Sequence, residues 1–169
     1  IWLTITQPRL IWSRTSLLVG KLDVESLTAD SIEVARLPVP DESAPTAEAE
    51  PFSLPQLPVS ALLEKIAIGT VSIDESVFGL ASRIGVQGKM ALDEELLDVD
   101  LSINRQDGPG GSFAVIANYD EGRQWLKLLA DLQEPENGLF VNLLGIEDRP
   151  PVLLRANGDG PIAEFTMQL

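Results

Sequence analysis

The sequence predicts a mainly β fold built on antiparallel strands. Apolar and polar residues alternate over several long segments, which is the period of a strand with one apolar and one polar face. Turn signals rich in Gly, Pro, Asn and Asp separate these segments at intervals of about 8–12 residues, which is typical of antiparallel sheets. Only two short segments have helical spacing. A β-sandwich, a closed barrel and a long curved sheet all fit this pattern.

The clearest alternation lies in the middle of the chain. Even positions from Leu80 to Leu92 are mostly apolar, and odd positions from Leu97 to Ile103 are aliphatic, with a turn predicted at Asp93-Glu94-Glu95 between them. A glycine-rich breaker at 107–111 follows. Further strands are predicted around 113–119, 126–132 and 152–156, after which a turn at 157–161 leads to a last strand, Ile162–Leu169.

The N-terminal part predicts three strands, Trp2–Arg14, Leu17–Leu27 and Ser31–Leu37. A change of parity around Gly69-Thr70 predicts a β-bulge. One short helix is predicted near 59–65, because apolar residues there share one helical face, and another near 137–144, where Gly145 would end it.

The chain divides into three predicted sections: 1–37 is a first β repeat, 38–58 is a Pro-rich acidic loop, and 59–169 is a second β unit with the two short helices. The loop holds six of the 12 prolines and four acidic residues and no basic one, so it cannot bury enough apolar surface to order itself. The first residue is Ile1, and the opening segment already has a strand pattern. We therefore expect a section of a longer or processed chain.

Composition excludes several classes of function. The chain has no His and no Cys, so nucleophile pairs with His, zinc sites built on these residues and thiol redox pairs are all excluded. No enzyme activity, metal or cofactor is expected. Its formal charge of −14 argues against nucleic acid and against docking on anionic lipid headgroups through a basic patch.

The remaining candidates for chemistry are weak. Asp98 and Asp100 lie two apart on one strand face, which is a carboxylate spacing seen in glycosidases, but a solvated polar face explains them better. Three scattered tryptophans are more typical of a core or a groove wall than of a sugar site. The apolar face itself either packs on a second sheet or lines an open trough, and the low aromatic content of 5% favours the trough.

Three stretches carry a resemblance to a known family. They are 57–79 with its Leu-Pro-Val start, 97–120 with its Asp-Gly-Pro turn, and 136–165 with its Leu-Leu-Gly, Pro-Pro and Gly-Asp-Gly-Pro elements. In this order they resemble the TamB family of the AsmA-like superfamily, found in Gram-negative envelopes. Residues 3–40 are similar to the first repeats of that family.

The resemblance implies a long curved antiparallel sheet with two short helices, forming an open apolar groove. It implies a segment of a periplasmic bridge that is anchored to the inner membrane outside this sequence and carries phospholipids between the two membranes. The implied partners are phospholipid acyl chains, a TamA-like outer-membrane barrel protein and flanking repeats of the same chain. The predicted groove residues are Ile84, Val86, Met90, Val99, Leu101, Ile103, Phe113, Val115, Leu126, Leu128, Val152 and Leu154.

Two alternatives stay open at this point. The first alternative is a structural scaffold for outer-membrane protein assembly, in which an open sheet edge pairs with a client strand. The second alternative is a closed β-sandwich module that binds sugar or protein.

Overall fold

A computed structural model describes residues 2–36 and 59–168, so the predicted loop at 38–58 lies outside the described residues. The described chain forms one sheet of ten strands that is not closed into a barrel. The strands are β1 (Leu3–Thr6), β2 (Arg9–Ser13), β3 (Lys21–Val34), β4 (Ser60–Ile73), β5 (Ser82–Asp93), β6 (Leu96–Arg105), β7 (Ser112–Asp120), β8 (Trp125–Glu134), β9 (Val152–Pro161) and β10 (Met167–Gln168). The predicted mainly β fold with one long, mostly antiparallel sheet is confirmed.

Sequential strands are neighbours through most of the sheet. The order is β1-β3-β4-β5-β6-β7-β8-β9-β10, with β2 beside β1 on the same edge of β3. Every pair is antiparallel except β3 and β4, which run parallel with a constant offset of 39 residues. The predicted turn at 93–95 is confirmed, because Asp93 pairs with Leu96 across Glu94-Glu95.

Strands β3 and β4 share an unusual apolar period of five residues. Each strand changes parity twice, and this brings all of its apolar pairs to the same side of the sheet. On β3 the pairs are Leu22 and Val24, Leu27 and Ala29, and Ile32 and Val34. On β4 they are Ala61 and Leu63, Ile66 and Ile68, and Val71 and Ile73. The β4–β5 register shifts at both parity changes, so the bulge predicted at Gly69-Thr70 is confirmed.

The helix predicted near 59–65 is wrong, since β4 begins at Ser60. The bulge at 64–65 brings Leu63 and Ile66 to one face, and a spacing of three apolar positions imitates a helical turn. The helix predicted near 137–144 corresponds to α2 (Leu139–Leu143). The other helix, α1 (Glu75–Phe78), follows β4, and the Asp74 side chain caps it by accepting from the Ser76 N–H.

Four other segment predictions also need correction. The segment 157–161, predicted as a turn, is the second half of β9, and its two glycines occupy regular positions of that strand. The two strands predicted at Leu17–Leu27 and Ser31–Leu37 are joined in the single strand β3, which begins only after a 3₁₀ turn at Ser16–Val19, and Leu37 lies outside the described residues. The predicted strand at Trp2–Arg14 is split into β1 and β2 at Gln7-Pro8, where Gln7 has a φ of 50°.

The most buried apolar cluster lies near one end of the strands. Leu92 and Tyr119 form its centre, and Ala61, Leu97 and Leu126 pack around them. These five residues occupy neighbouring strands at matching register positions, so they form a row across the sheet. Within the described residues, no helix is long and apolar enough to cross a membrane.

Gly88 lies where two central strands of the sheet are closely packed. A Cβ added to it would lie 2.5 Å from the backbone oxygen of Asp100 and 3.2 Å from the Cα of Leu101. We expect Gly88→Ala to lower the free energy of unfolding by about 2 kcal/mol, because backbone atoms in two central strands must move. Gly160→Ala is the matched control, since no atom lies within 4 Å of its added Cβ. Equal urea midpoints for the two variants would contradict this packing.

Candidate functional site: an apolar face of the sheet

Registered strands place the alternating apolar residues of the chain on one side of the sheet, here called the apolar face. Residues opposite each other in a ladder point their side chains to the same side. On that criterion all twelve residues predicted for the groove share the apolar face: Ile84, Val86, Met90, Val99, Leu101, Ile103, Phe113, Val115, Leu126, Leu128, Val152 and Leu154.

Three rows in the middle of this face contain only apolar side chains and glycine. These middle rows are Val24–Leu63–Met90–Val99–Ala117–Leu128–Gly158, Leu27–Ile66–Gly88–Leu101–Val115–Ala130–Ala156 and Ala29–Ile68–Val86–Ile103–Phe113–Leu132–Leu154. Seven strands about 4.8 Å apart make the band about 29 Å long across the strands. Its outer rows lie about 13 Å apart along the strands.

No second layer packs on the middle rows within the described residues, where strands make their main contacts with neighbours in the same sheet. The side chains there are mostly half-buried, and Met90 is 38% exposed. At the β9 edge, the Phe165 ring lies over Gly158, where an added Cβ would collide with it. A continuous aliphatic band is therefore available to an apolar ligand, and Phe165 covers it at one edge.

Two charged residues stand on the apolar face beyond the middle rows. Glu134 on β8 is 7% exposed, and its carboxylate accepts hydrogen bonds from the backbone N–H groups of Leu139 (3.0 Å) and Phe140 (2.8 Å). These are the first N–H groups of α2, which have no partner within the helix. Glu134 therefore holds α2 against this end of the sheet, and Val141 of α2 is fully buried there.

Arg105 on β6 supports the same segment from two strands away. Its Nη1 donates to the carbonyl oxygen of Asn137 at 3.3 Å, and its Nε donates to Asp107 Oδ1 at 3.0 Å. Gly111 lies between Arg105 and Glu134, and an added Cβ there would touch both side chains. The chain that leaves β8 thus crosses the apolar face towards β6 before α2 begins.

The Arg105–Asp107 pair is largely shielded from solvent, with side chains 7% and 20% exposed. Burial acts to raise the pKa of Asp107, but hydrogen bonds from the Arg105 side chain and the Arg83 backbone N–H outweigh it, so the pKa lies below its ordinary value. Asp107 is therefore ionised near neutral pH and fixes the Arg105 side chain in place.

The segment that carries α2, here called the cap, reaches far enough across the sheet for α2 to contact α1. These helices follow β4 and β8, which are four strands apart and about 19 Å apart in a flat sheet. Because the two helices nevertheless contact each other, the sheet bends and the α2 segment reaches across it. Together these cover this end of the apolar face. At the other end the Leu92–Tyr119 row is already packed, so the uncovered band runs across the strands.

The opposite, polar face carries ordinary solvated pairs. Lys89 lies 3.6 Å from Asp100, and Asn118 donates to Asp98, so the two aspartates considered for glycosidase chemistry have structural partners. Trp125 lies on this face as well, and its indole N–H donates to Asp159 at 2.6 Å. Among the described residues, no cluster of three or more acidic side chains is placed to hold a metal ion.

Arg105 and Glu134, which organise this end of the apolar face, were not among the predicted site residues. A signal was present, because Arg105 continues the odd apolar series 97–103 and Glu134 continues the even series 126–132. A charged residue at the end of an apolar series lies on the apolar face and needs a partner there. In this chain the partner is the backbone of the segment that carries α2.

No protein-family model matches the chain, and no curated protein or solved structure is significantly similar to it.

Proposed function

We propose that this segment is part of a lipid-transfer conduit, in which the middle rows of the apolar face shield phospholipid acyl chains from water. The observation that carries the proposal is the unbroken band of apolar residues across seven registered strands, with no covering layer in the described residues. Burying apolar surface stabilises the complex by about 25 cal/mol per Å². A band this long covers a substantial part of a lipid tail.

The chemistry of the band favours acyl chains over a polar or aromatic ligand. The middle rows contain one aromatic residue, Phe113, and no hydrogen-bond donor in a side chain. A sugar or peptide would leave its own polar groups unpaired against such a surface, which is costly. One leaflet of hydrocarbon is about 15 Å thick, so an acyl chain fits within a band of about 29 Å.

The absence of polar side chains in the middle rows also suits movement rather than storage. With no group to fix one position, an acyl chain has similar contacts at each step across the strands. Together with the resemblance to TamB-like proteins, this supports a place in a periplasmic bridge between the inner and outer membranes. On that proposal a TamA-like barrel protein and flanking repeats of the chain are the partners.

Photo-crosslinking tests the proposal at adjacent residues on opposite faces. A benzophenone amino acid at Val86 or Leu101 is expected to capture phospholipid, because both side chains lie in the middle rows. Gln87 and Ser102 are the controls, since each follows directly in sequence and points to the polar face. Lipid adducts at 86 and 101 and none at 87 and 102 would support the conduit. Equal capture on both faces, or capture of protein alone, would count against it.

The scaffold alternative has one specific observation in its favour. The outer edge of β9 is paired by β10 only at Asn157 and Gly158, so most of its backbone groups have no strand partner in the described residues. Such an edge can bind an added strand. Crosslinks from this edge to a client strand, without lipid capture at 86 and 101, would favour the scaffold.

A further inference from the structure

Basic and apolar residues are concentrated at the start of this acidic chain. Residues 2–22 contain Arg9, Arg14 and Lys21 and none of the 26 acidic residues. Within the described residues, neither Arg14 nor Lys21 forms a salt bridge with a carboxylate. The overall charge of −14 therefore conceals one cationic segment, which forms β1, β2, the 3₁₀ turn and the start of β3.

The turn between β2 and β3 presents three consecutive apolar residues to solvent. Leu17 is 41%, Leu18 86% and Val19 73% exposed, and we call these three residues the apolar tip. Trp12 on the adjoining β2 is 37% exposed. Exposed apolar groups clustered in this way mark an interaction surface rather than an ordinary turn.

The apolar tip is held in a fixed conformation. The Leu18 N–H donates to the Thr15 carbonyl at 3.1 Å, and Gly20, with a φ of 75°, lets the chain enter β3. At the base, Ser16 Oγ donates to Asp23 Oδ2 at 3.2 Å, so this nearby carboxylate is engaged within the hairpin. The side chains of the tip therefore point outward without a partner supplied by the described chain.

We propose that the apolar tip inserts into the interface of an anionic phospholipid membrane, with Arg14 and Lys21 on the headgroups. Charge complementarity decides between occupants. Arg14 lies three positions before Leu17 and Lys21 lies two positions after Val19, so both basic residues lie at headgroup depth when the tip enters the acyl region. The acidic turn at Asp93-Glu94-Glu95 lies near the level of Lys21 but two strands away, about 10 Å in a flat sheet, and screening over about 8 Å limits its repulsion by the headgroups. This proposal does not depend on the conduit function of the middle rows.

Vesicle binding of the full 169-residue chain tests the inference. We expect co-sedimentation with phosphatidylcholine vesicles that contain phosphatidylglycerol, and weak binding to phosphatidylcholine alone. Leu18→Asp is expected to weaken binding at least about tenfold, since an apolar side chain is replaced by a negative charge that the anionic headgroups repel. Leu153→Asp is the matched control, because Leu153 is 64% exposed on the polar face and far along the sheet in β9.

A second pair of variants separates the contribution of charge. Arg14→Glu is expected to weaken binding about fivefold or more, and Lys127→Glu, with the same change of charge on the polar face of β8, less than about twofold. A blue shift of tryptophan emission in a background with both Trp2→Phe and Trp125→Phe, which leaves Trp12 as the one tryptophan of the three in the sequence, would place Trp12 at the interface. Equal loss in Leu18→Asp and Leu153→Asp, or in Arg14→Glu and Lys127→Glu, would overturn the proposal. So would self-association that Leu18→Asp abolishes without any binding to vesicles.

These outcomes are distinguishable from a failure of the conduit. Leu18→Asp leaves the middle rows intact, so lipid photo-crosslinking at Val86 in detergent-dispersed phospholipid should be unchanged in that variant. Both Leu18 and Val19 are strongly exposed, so loss of the fold is not expected, and circular dichroism checks it.

Discussion

Replacing Leu101 by Asp is expected to reduce phospholipid bound to the chain at least about tenfold, because a carboxylate must lose water when an acyl chain covers it. Leu101 lies in the central middle row, between Gly88 on β5 and Val115 on β7. Fluorescent phospholipid binding, measured by titration with the purified chain, reports the change directly. Leu101 is half-buried and no second layer packs on the middle rows in the described residues, so the new carboxylate keeps contact with water and the fold should persist.

Ser102→Asp provides the control for this prediction. Ser102 is the next residue on β6 and points to the polar face, where Asp98 and Asp100 already stand on the same strand. Its lipid affinity should equal that of the unchanged chain. Wild-type affinity in Leu101→Asp, with both variants folded, would show that acyl chains do not lie on the middle rows.

The apolar face was predictable because the central strands have a strict period of two. From β5 to β8 each apolar series keeps one parity, and hairpins with short turns fix the register between neighbours. Once one strand is placed, the side chains of Val86, Leu101 and Val115 must share a face. The sequence alone therefore predicts which residues share the apolar face, although not what covers that face.

Prediction failed where bulges or glycines change the local period. The bulge at 64–65 places Leu63 and Ile66 on the same face, and this spacing led to a false helix. The run 157–161 has the composition of a turn, but Gly158 lies inside β9 because the Phe165 ring occupies the space above it. Such contacts join residues that only the fold brings together.

The net charge of the whole chain does not describe the charge of its N-terminal hairpin. A formal charge of −14 argued against an anionic lipid surface, yet the first 22 residues carry only basic charges. Charge acts over about one Debye length, so its local distribution decides what a hairpin tip meets. On the membrane proposal above, the average charge argued against a partner that the N-terminal hairpin would bind.

Replacing Glu134 by Ala is expected to lower the free energy of unfolding by about 3 kcal/mol, the largest stability effect predicted for the chain. Two backbone N–H groups at the start of α2 lose a charged acceptor, and each such bond contributes about 1.5–3 kcal/mol. Glu136→Ala is the matched control, because Glu136 is exposed in the same segment. Urea unfolding measures the difference, and hydrogen exchange at Leu139 and Phe140 locates it. Unchanged protection of these two amides in Glu134→Ala would show that the carboxylate does not hold the cap.

The same variant also tests why the apolar band runs across the strands. With Glu134 intact, the α2 segment covers one end of the face and the Leu92–Tyr119 row at the other end is largely buried, so the exposed apolar surface extends mainly from strand to strand. If α2 is released, Ile84 and Val152 become part of a wider apolar surface, since both lie in the row beside the cap. Lipid photo-crosslinking at Ile84 should then rise in Glu134→Ala while that at Leu101 stays constant. A cap that sets the direction of the band requires this difference, because only the row beside α2 gains accessible apolar surface when α2 is released.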